Sequence, residues 1–208
     1  MTPTAYVVED DESIRTLWTW LMESNGIAVR TFNSAGEFIA GYQPGAPGCL
    51  VLDLRLPGMS GLELQEHLKR NRVDIPIVFV TAHGDVRTAV TAIKEGAVDF
   101  IEKPFSYREA VSSIEKAFQR DAENREHRAR HASAANRIAL LTERERAVLR
   151  RIIEGKQNKV IADELAISIK TVEFHRAKLM EKMGVDSVAE LVQLTLGFSL
   201  MEAAGPPG

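Results

Sequence analysis

CLVLDLRLPGMSGLEL, residues 49–64, decides the fold. An unbroken apolar run ends on a carboxylate, Asp53. A glycine-bearing loop, LPGMSG at 56–61, follows, and Ser60 precedes the amphipathic stretch GLELQEHLKR. A run that is apolar at every position suits a strand covered on both faces, as in a parallel sheet. A side chain at the carboxyl end of such a strand stands where open α/β sheets bind their ligands.

The same unit recurs on both sides. AYVV (5–8), AVRTF (28–32), CLVLDL (49–54), IVFVT (77–81) and VDFI (98–101) read as buried strands. Asp11-Glu12-Ser13 leads into IRTLWTWLMES, with Ile14, Leu17, Trp18 and Leu21 on one stripe. Asn33 or Ser34 caps AGEFIAGY, Asp85 caps VRTAVTAIKEG, which Gly96 ends, and Ser106 caps YREAVSSIEKAFQR. Five consecutive βα units imply a doubly wound, five-stranded parallel sheet over residues 1–120, with right-handed crossovers.

Bulk properties narrow the setting. The 208 residues suffice for one large or two small domains. Cys49 is the single cysteine, which excludes an intrachain disulfide and suits a small core residue. No apolar run approaches the roughly 20 residues that span a bilayer, so no membrane partner is expected. MTPTAYVVEDDES carries no basic leader, and a cytoplasmic location is the expectation. Residues 1–120 hold 12 Lys/Arg against 16 Asp/Glu, and residues 121–208 hold 14 against 13. Any DNA binding by the second part must therefore use a local patch and not a general positive field.

Beyond the sheet the pattern changes. RDAENREHRARHASAANRIAL has no large apolar residue before Ile138. It reads as a helical linker over 121–140 with a looser joint near Ser133 to Asn136. A continuous and a broken helix both remain open. From Leu141 every periodic segment is helical. LTERERAVLRRIIEG opens with the capping box Thr142/Glu145, and NKVIADELAI, IKTVEFHRAKLMEKMG and SVAELVQLTLGF follow. That predicts a small all-α, four-helix domain over 141–202 and a disordered tail at 203–208.

Chemistry gathers at the predicted strand ends. Asp10 and Asp11 with Asp53 could share one Mg²⁺, a hard cation that prefers a few carboxylates, waters and a phosphate oxygen. An Asp that takes a phosphoryl group needs its own charge offset, which the metal and a nearby Lys103 would do. The Thr81 hydroxyl could bond a phosphoryl oxygen, and the glycines of LPGMSG permit unusual backbone angles beside the ligand.

VVEDDESIR, LVLDLRLPGMSGLEL, IVFVTAHGD and FIEKPF together resemble the receiver domain of two-component response regulators over the whole of residues 1–120. The resemblance implies that Asp53 is the phosphoacceptor and that Asp10 and Asp11 serve Mg²⁺, with the Arg55 carbonyl completing its shell. It also implies that Thr81 is a switch hydroxyl, that Phe100 moves with it, that Lys103 contacts the phosphate and that the bond to Pro104 is cis. Arg55 and His83 each lie two residues past a landmark; both could flank the path of an attacking water and tune autodephosphorylation, or be exposed loop residues without that role. Phosphoryl transfer would be self-directed, so no enzyme acting on an external substrate is expected, only slow autodephosphorylation at Asp53.

NKVIADELAI, a short turn and KTVEFHRAKLMEKMG form a helix-turn-helix pattern. Ile161, Leu165 and Ile167 pack the first helix and turn, and small Ala162 admits the second. Val172, Leu179 and Met183 face inward. Lys170, Thr171, Glu173, Phe174 and Ala177 face outward, toward base edges, while Lys159, Arg176 and Lys178 suit phosphates. Phe174 could meet a thymine methyl. Glu173 could accept from cytosine or pair with Lys170 or Arg176, and the pairing is favoured. The string LTERERAVL…EGKQNKVIADELAISIKTVEFHRAKLMEKMGV resembles the LuxR-type helix-turn-helix domain. Joined to a receiver, it is similar to the NarL/FixJ family, whose signature would include His175 and Lys182, with His175 structural or a phosphate donor.

The expectation is a phosphorylation-switched transcription factor. A flavodoxin-like α/β receiver is joined by a helical linker to a DNA-binding domain. The expected partners are a sensor histidine kinase, a second copy of the chain, double-stranded DNA with paired half-sites and, as a candidate, RNA polymerase. From Leu141 on, Lys/Arg and Asp/Glu balance at 10 each, so paired half-sites would supply affinity that one domain lacks. The alternative is an adaptor that signals by protein contact without DNA.

Overall fold

The computed structural model describes residues 2–82 and 86–195, the side chain of Val86 excepted. The chain divides into two compact units at Arg125/Glu126.

In the first unit the elements alternate: β1 (Thr4–Val8), α1 (Glu12–Glu23), β2 (Ala28–Phe32), α2 (Ala35–Gly41), β3 (Gly48–Asp53), α3 (Gly61–Arg70), β4 (Ile77–Thr81), α4 (Val86–Lys94), β5 (Asp99–Glu102) and the start of α5 (Tyr107–Ala139). The strands form one parallel sheet in the order β2-β1-β3-β4-β5. Strand parity sends alternate residues to opposite faces. Tyr6, Val8, Leu50, Leu52, Ile77 and Phe79 meet Phe38, Leu64 and Leu68 on one side. Ala5, Val7, Cys49, Val51, Val78 and Val80 meet Trp18, Leu21, Met22, Ala110 and Ile114 on the other. Both layers are full, so β3 is buried along its whole length, as its unbroken apolar run predicts. Burial pushes the Cys49 thiol up, which suits a core residue and not a reactive one.

The caps follow the sequence closely. Asp11 Oδ1 accepts from the Ser13 and Ile14 amides at 2.7 and 3.2 Å. Ser34, and not Asn33, caps α2. Ser60 and Glu63 form a full capping box on α3, and Ser106 Oγ accepts from the Glu109 amide. Gly96, at φ +102°, closes α4. The predicted cap Asp85 lies outside the described residues, as does His83.

Three expectations need correction. On α1 the buried residues are Trp18, Leu21 and Met22, while Leu17 is exposed. Leu17 falls on the flank of the stripe that Trp18 and Leu21 centre, and Met22 replaces it. The looser joint near Ser133 to Asn136 is not there: α5 is helical through to Ala139. Ala134 and Ile138 are fully buried in the second unit, and that burial outweighs the indifferent helix propensity of Ser133 and Asn136. Asp121 to Arg125, placed in the linker by composition, instead pack on the first unit. Buried Asp121 Oδ2 accepts from the Gly48 amide at 3.0 Å, and Asn124 and Arg125 bond to Asp74 and to the Gly45 carbonyl.

The second unit holds the rest of α5 with α6 (Glu143–Ile153), α7 (Asn158–Leu165), α8 (Ile169–Met183) and α9 (Val188–Thr195). Its core is Ile138, Leu141, Val148, Leu149, Ile152, Ile161, Val172, Leu179, Met183 and Leu191. Thr142 and Glu145 make the predicted capping box. The tail at 203–208 lies outside the described residues. Among the described residues no helix is long and apolar enough to cross a membrane.

Candidate phosphoacceptor site and nucleic-acid interface

Register builds the site. Val8 pairs with Leu52 and Asp53 with Val80, which brings Glu9 level with Asp53 and leaves Thr81 one step beyond. Thr81 pairs with Glu102, so Lys103 follows at the same edge. Asp53, Thr81 and Glu9 are buried. Gly61 closes the loop after β3: a Cβ there would lie 2.3 Å from the Asp53 carbonyl oxygen, so this turn admits no side chain.

The Lys103 ammonium bridges two carboxylates. It donates to Asp53 Oδ2 at 2.7 Å and to Glu9 Oε2 at 2.6 Å, and the Arg55 amide donates to Asp53 Oδ1 at 2.9 Å. Burial raises the Glu9 carboxyl above its ordinary value, the Lys103 bond offsets part of that, and the Asp53 charge adds to the rise. For Lys103, burial acts to lower its value, but the bonds to Asp53 and Glu9 outweigh it and hold the ammonium charged. The peptide bond from Lys103 to Pro104 is cis.

Glu9, which the sequence reading left out, stands at this edge, while Asp11, read there as a metal ligand, is engaged as the α1 cap. The Asp11 carboxylate is exposed and turned to the α1 amides, whose bonds hold it below the usual carboxylate range. Asp10 lies between them, exposed, its carbonyl and that of Glu9 both accepting from Arg15. The chain leaves the sheet one residue earlier than the reading of Asp10 and Asp11 as a pair requires. The first carboxylate after β1 therefore faces the strand edge and the third caps the helix. Among the described residues no three carboxylates or imidazoles are grouped as they would be around an ion. The donor chemistry nonetheless fits a hard cation: two buried carboxylates, Glu9 and Asp53, share one ammonium, and oxygen donors of this kind suit such an ion. Arg55 itself is exposed, and Phe100 is half-buried against the α3 side of the core.

In the second unit α7 and α8 form the helix-turn-helix. Ala166, at φ +52°, makes the turn, and Ser168 caps α8 by accepting from the Thr171 amide at 3.0 Å. Lys170, Glu173, Phe174, Ala177 and Lys178 are exposed on α8, as is Lys159 on α7, while Arg176 is half-buried. Phe174, 60% exposed, stands edge-on to His175. Two details differ from expectation. The Thr171 hydroxyl is bound to Ser168 Oγ at 2.8 Å and belongs to the cap. Glu173 makes no ion pair with Lys170 or Arg176 among the described residues, whereas Lys178 pairs with Glu181 at 2.8 Å. Lys182, whose role spacing could not show, reaches buried Glu145.

Residues 5–115 match the response regulator receiver domain and residues 139–195 match the bacterial regulatory proteins of the luxR family. The chain is 42% identical over 196 residues to Nodulation protein W of Bradyrhizobium diazoefficiens, covering 93% of this chain and 86% of that protein. It is 43% identical over 195 residues to the transcriptional regulatory protein FixJ of Rhizobium meliloti, covering 93% and 95%. Among solved structures, the response regulator StyR matches with a TM-score of 0.82 at 44% identity, covering 95% of this chain and all of that one. Full-length FixJ from B. japonicum matches with a TM-score of 0.57 at 39% identity, covering 94% and 97%. The chain belongs to the NarL/FixJ-type response regulators, two-component transcriptional regulators that join a receiver to a LuxR-type DNA-binding domain.

Proposed function

We propose that Asp53 is the phosphoacceptor of this regulator. The observation that carries the reading is the placement of its carboxylate. It is buried at a strand end, with one oxygen on the Lys103 ammonium and the other on the Arg55 amide. A sensor kinase's phosphohistidine would supply the group: the P–N bond breaks, a P–O bond forms on an Asp53 oxygen, and the imidazole leaves. Lys103 neutralises the arriving phosphoryl oxygens, and Thr81 stands one residue further along the edge to receive one of them. Mg²⁺ would be held by Asp53, Asp10 and the Arg55 carbonyl, with Glu9 beside them. When bound it offsets the charge that accumulates as a dianionic group meets a carboxylate. Receivers of this family generally bind Mg²⁺ at this position.

Family membership makes DNA and a sensor kinase the partners. The finer reading is that phosphorylation moves Thr81 and Phe100, favours a dimer and lets two α8 helices engage paired half-sites. RNA polymerase would be a further partner, the cytoplasm the location, and no external substrate would be turned over. A bias of a few kcal/mol toward the competent state is enough for such a switch.

The test is acetyl phosphate with Mg²⁺, read by intact mass and by size. The parent gains one phosphoryl group and dimerises, and Asp53→Asn does neither. Equal uptake by Asp53→Asn removes Asp53 as acceptor.

A further inference from the structure

Helix α5 carries a feature that the phosphoryl and DNA sites do not use. His127 and His131, one turn apart, bring their Nε2 atoms to 3.2 Å, with ring centroids 4.3 Å apart. His127 is exposed and His131 half-buried. Both lie just past Arg125, where the first compact unit ends.

We propose that His127 and His131 form a chelating site for a borderline divalent transition ion, of the Zn²⁺, Ni²⁺ or Cu²⁺ class. Three observations support it. First, the i, i+4 spacing puts two imidazoles on one helix face, the same spacing that helical zinc sites use. Second, the bite is right. Two nitrogens each about 2.0–2.1 Å from a tetrahedral ion lie about 3.3 Å apart, so the nitrogens already stand at the required separation and the rings need only turn. Third, the donor atoms are imidazole nitrogens, which suit these ions better than Mg²⁺ or Ca²⁺, which prefer oxygen.

Without metal, one ring's Nε2–H donates to the other's Nε2 lone pair. On binding, the donating ring carries its proton on Nδ1 instead, and both Nε2 lone pairs face the ion. Glu123 stands one turn earlier on the same stripe, but its carboxylate accepts from Gln119 at 3.1 Å and lies 4.0 Å from Arg120. Among the described residues no third carboxylate, thiolate or imidazole joins the pair, so water completes the shell. The ring pair is flanked by the ion pair of Arg130 with Glu126. A bound ion would clip the 127–131 turn and stiffen the stretch of α5 that follows Arg125.

The experiment is Ni²⁺ titration of the full chain by calorimetry, with millimolar Mg²⁺ present to occupy the acidic pocket. The parent binds one Ni²⁺, and His127→Ala or His131→Ala lowers its affinity at least tenfold. A third variant, Ala129→His with His131→Ala, keeps the histidine count but moves the pair to i, i+2, where the rings cannot meet. It loses affinity as the single variants do. These positions lie on one helix, and far-UV circular dichroism verifies that each variant remains folded. Equal Ni²⁺ affinity across the parent and the three variants overturns the proposal, as does the absence of any Ni²⁺ binding by the parent.

Discussion

Lys182 Nζ donates to Glu145 Oε2 at 2.7 Å, joining residues 37 apart in the chain. Glu145 is 5% exposed and already holds the first turn of α6 through its box with Thr142. The pair therefore ties the C-terminal end of α8 to the N-terminal end of α6.

Replacing Lys182 by Met should leave that carboxylate buried with only its capping bonds. Loss of one partner from a fully buried pair costs about 3–5 kcal/mol. Lys182 is about a third exposed, and solvent screens the pair, so about 1–2 kcal/mol is expected here. Urea unfolding of the parent and Lys182→Met measures it, and coincident curves would show that the bridge is ornamental. The pH dependence has a definite sign. Burial raises the Glu145 carboxyl, but the bonds from Lys182 and Thr142 outweigh it and hold the group below its ordinary value. A depressed carboxyl contributes stability above its unfolded value of about 4.3 and loses it as the pH falls through the folded value. The parent should therefore lose second-unit stability below about pH 4.3, and Lys182→Met should lose less.

Much of the receiver was legible because its signals are local. Asp53, Thr81 and Lys103 each border a short buried strand, and strand ends are set by apolar runs that the sequence displays. Glu9, Asp10 and Asp11 were not separable in the same way. Glu9 faces the edge, Asp10 is exposed and Asp11 caps the helix according to where the chain leaves β1, a difference of one residue. Element ends are not resolved that finely by pattern. Leu17 and Met22 exchanged places for a related reason: both border the stripe that Trp18 and Leu21 define. The continuity of α5 through Ser133 and Asn136 depends on tertiary burial of Ala134 and Ile138, which local composition does not report. The bridge between Glu145 and Lys182 is a long-range pairing of the same kind.

Glu9 and Asp11 should separate cleanly in function. Glu9→Gln removes a carboxylate from the buried edge and should weaken Mg²⁺ binding severalfold and slow phosphoryl uptake from acetyl phosphate. Asp11→Asn keeps a side-chain oxygen for the Ser13 and Ile14 amides and should leave both near the parent. Mg²⁺ titration and timed intact-mass measurements compare them. The reverse ranking would return Asp11 to the metal site.

Asp121 fastens α5 to the start of β3. Its Oδ2 accepts from the Gly48 amide inside the protein, at a glycine where a Cβ would meet the Thr4 carbonyl oxygen at 2.1 Å. Asp121→Ala strands a buried N–H and should cost about 1–3 kcal/mol. Asp121→Asn retains a carbonyl acceptor and should cost less. Thermal unfolding ranks the three proteins, and an Asp121→Asn as unstable as Asp121→Ala would shift the weight from the hydrogen bond to the charge.

The outward face of α8 can be dissected by separating base contacts from phosphate contacts. Phe174 is solvent-facing, so Phe174→Ala should change stability by no more than about 0.5 kcal/mol. If its ring meets a base methyl in the groove, the same change should weaken binding to the preferred site more than binding to random duplex. Lys159 and Arg176 have a different signature. A phosphate contact carries no sequence information, so Lys159→Ala or Arg176→Ala should weaken both duplexes alike. Each should also flatten the dependence of log K on log salt by about 0.9 per lost phosphate contact. Lys178 is already paired with Glu181, so its removal should flatten the slope less than removal of Lys159. Fluorescence anisotropy across a salt series, on the phosphorylated chain, supplies all four slopes. An unchanged slope for both Lys159→Ala and Arg176→Ala would move the phosphate contacts elsewhere on the domain, because affinity lost without a change in counterion release is not lost at a phosphate.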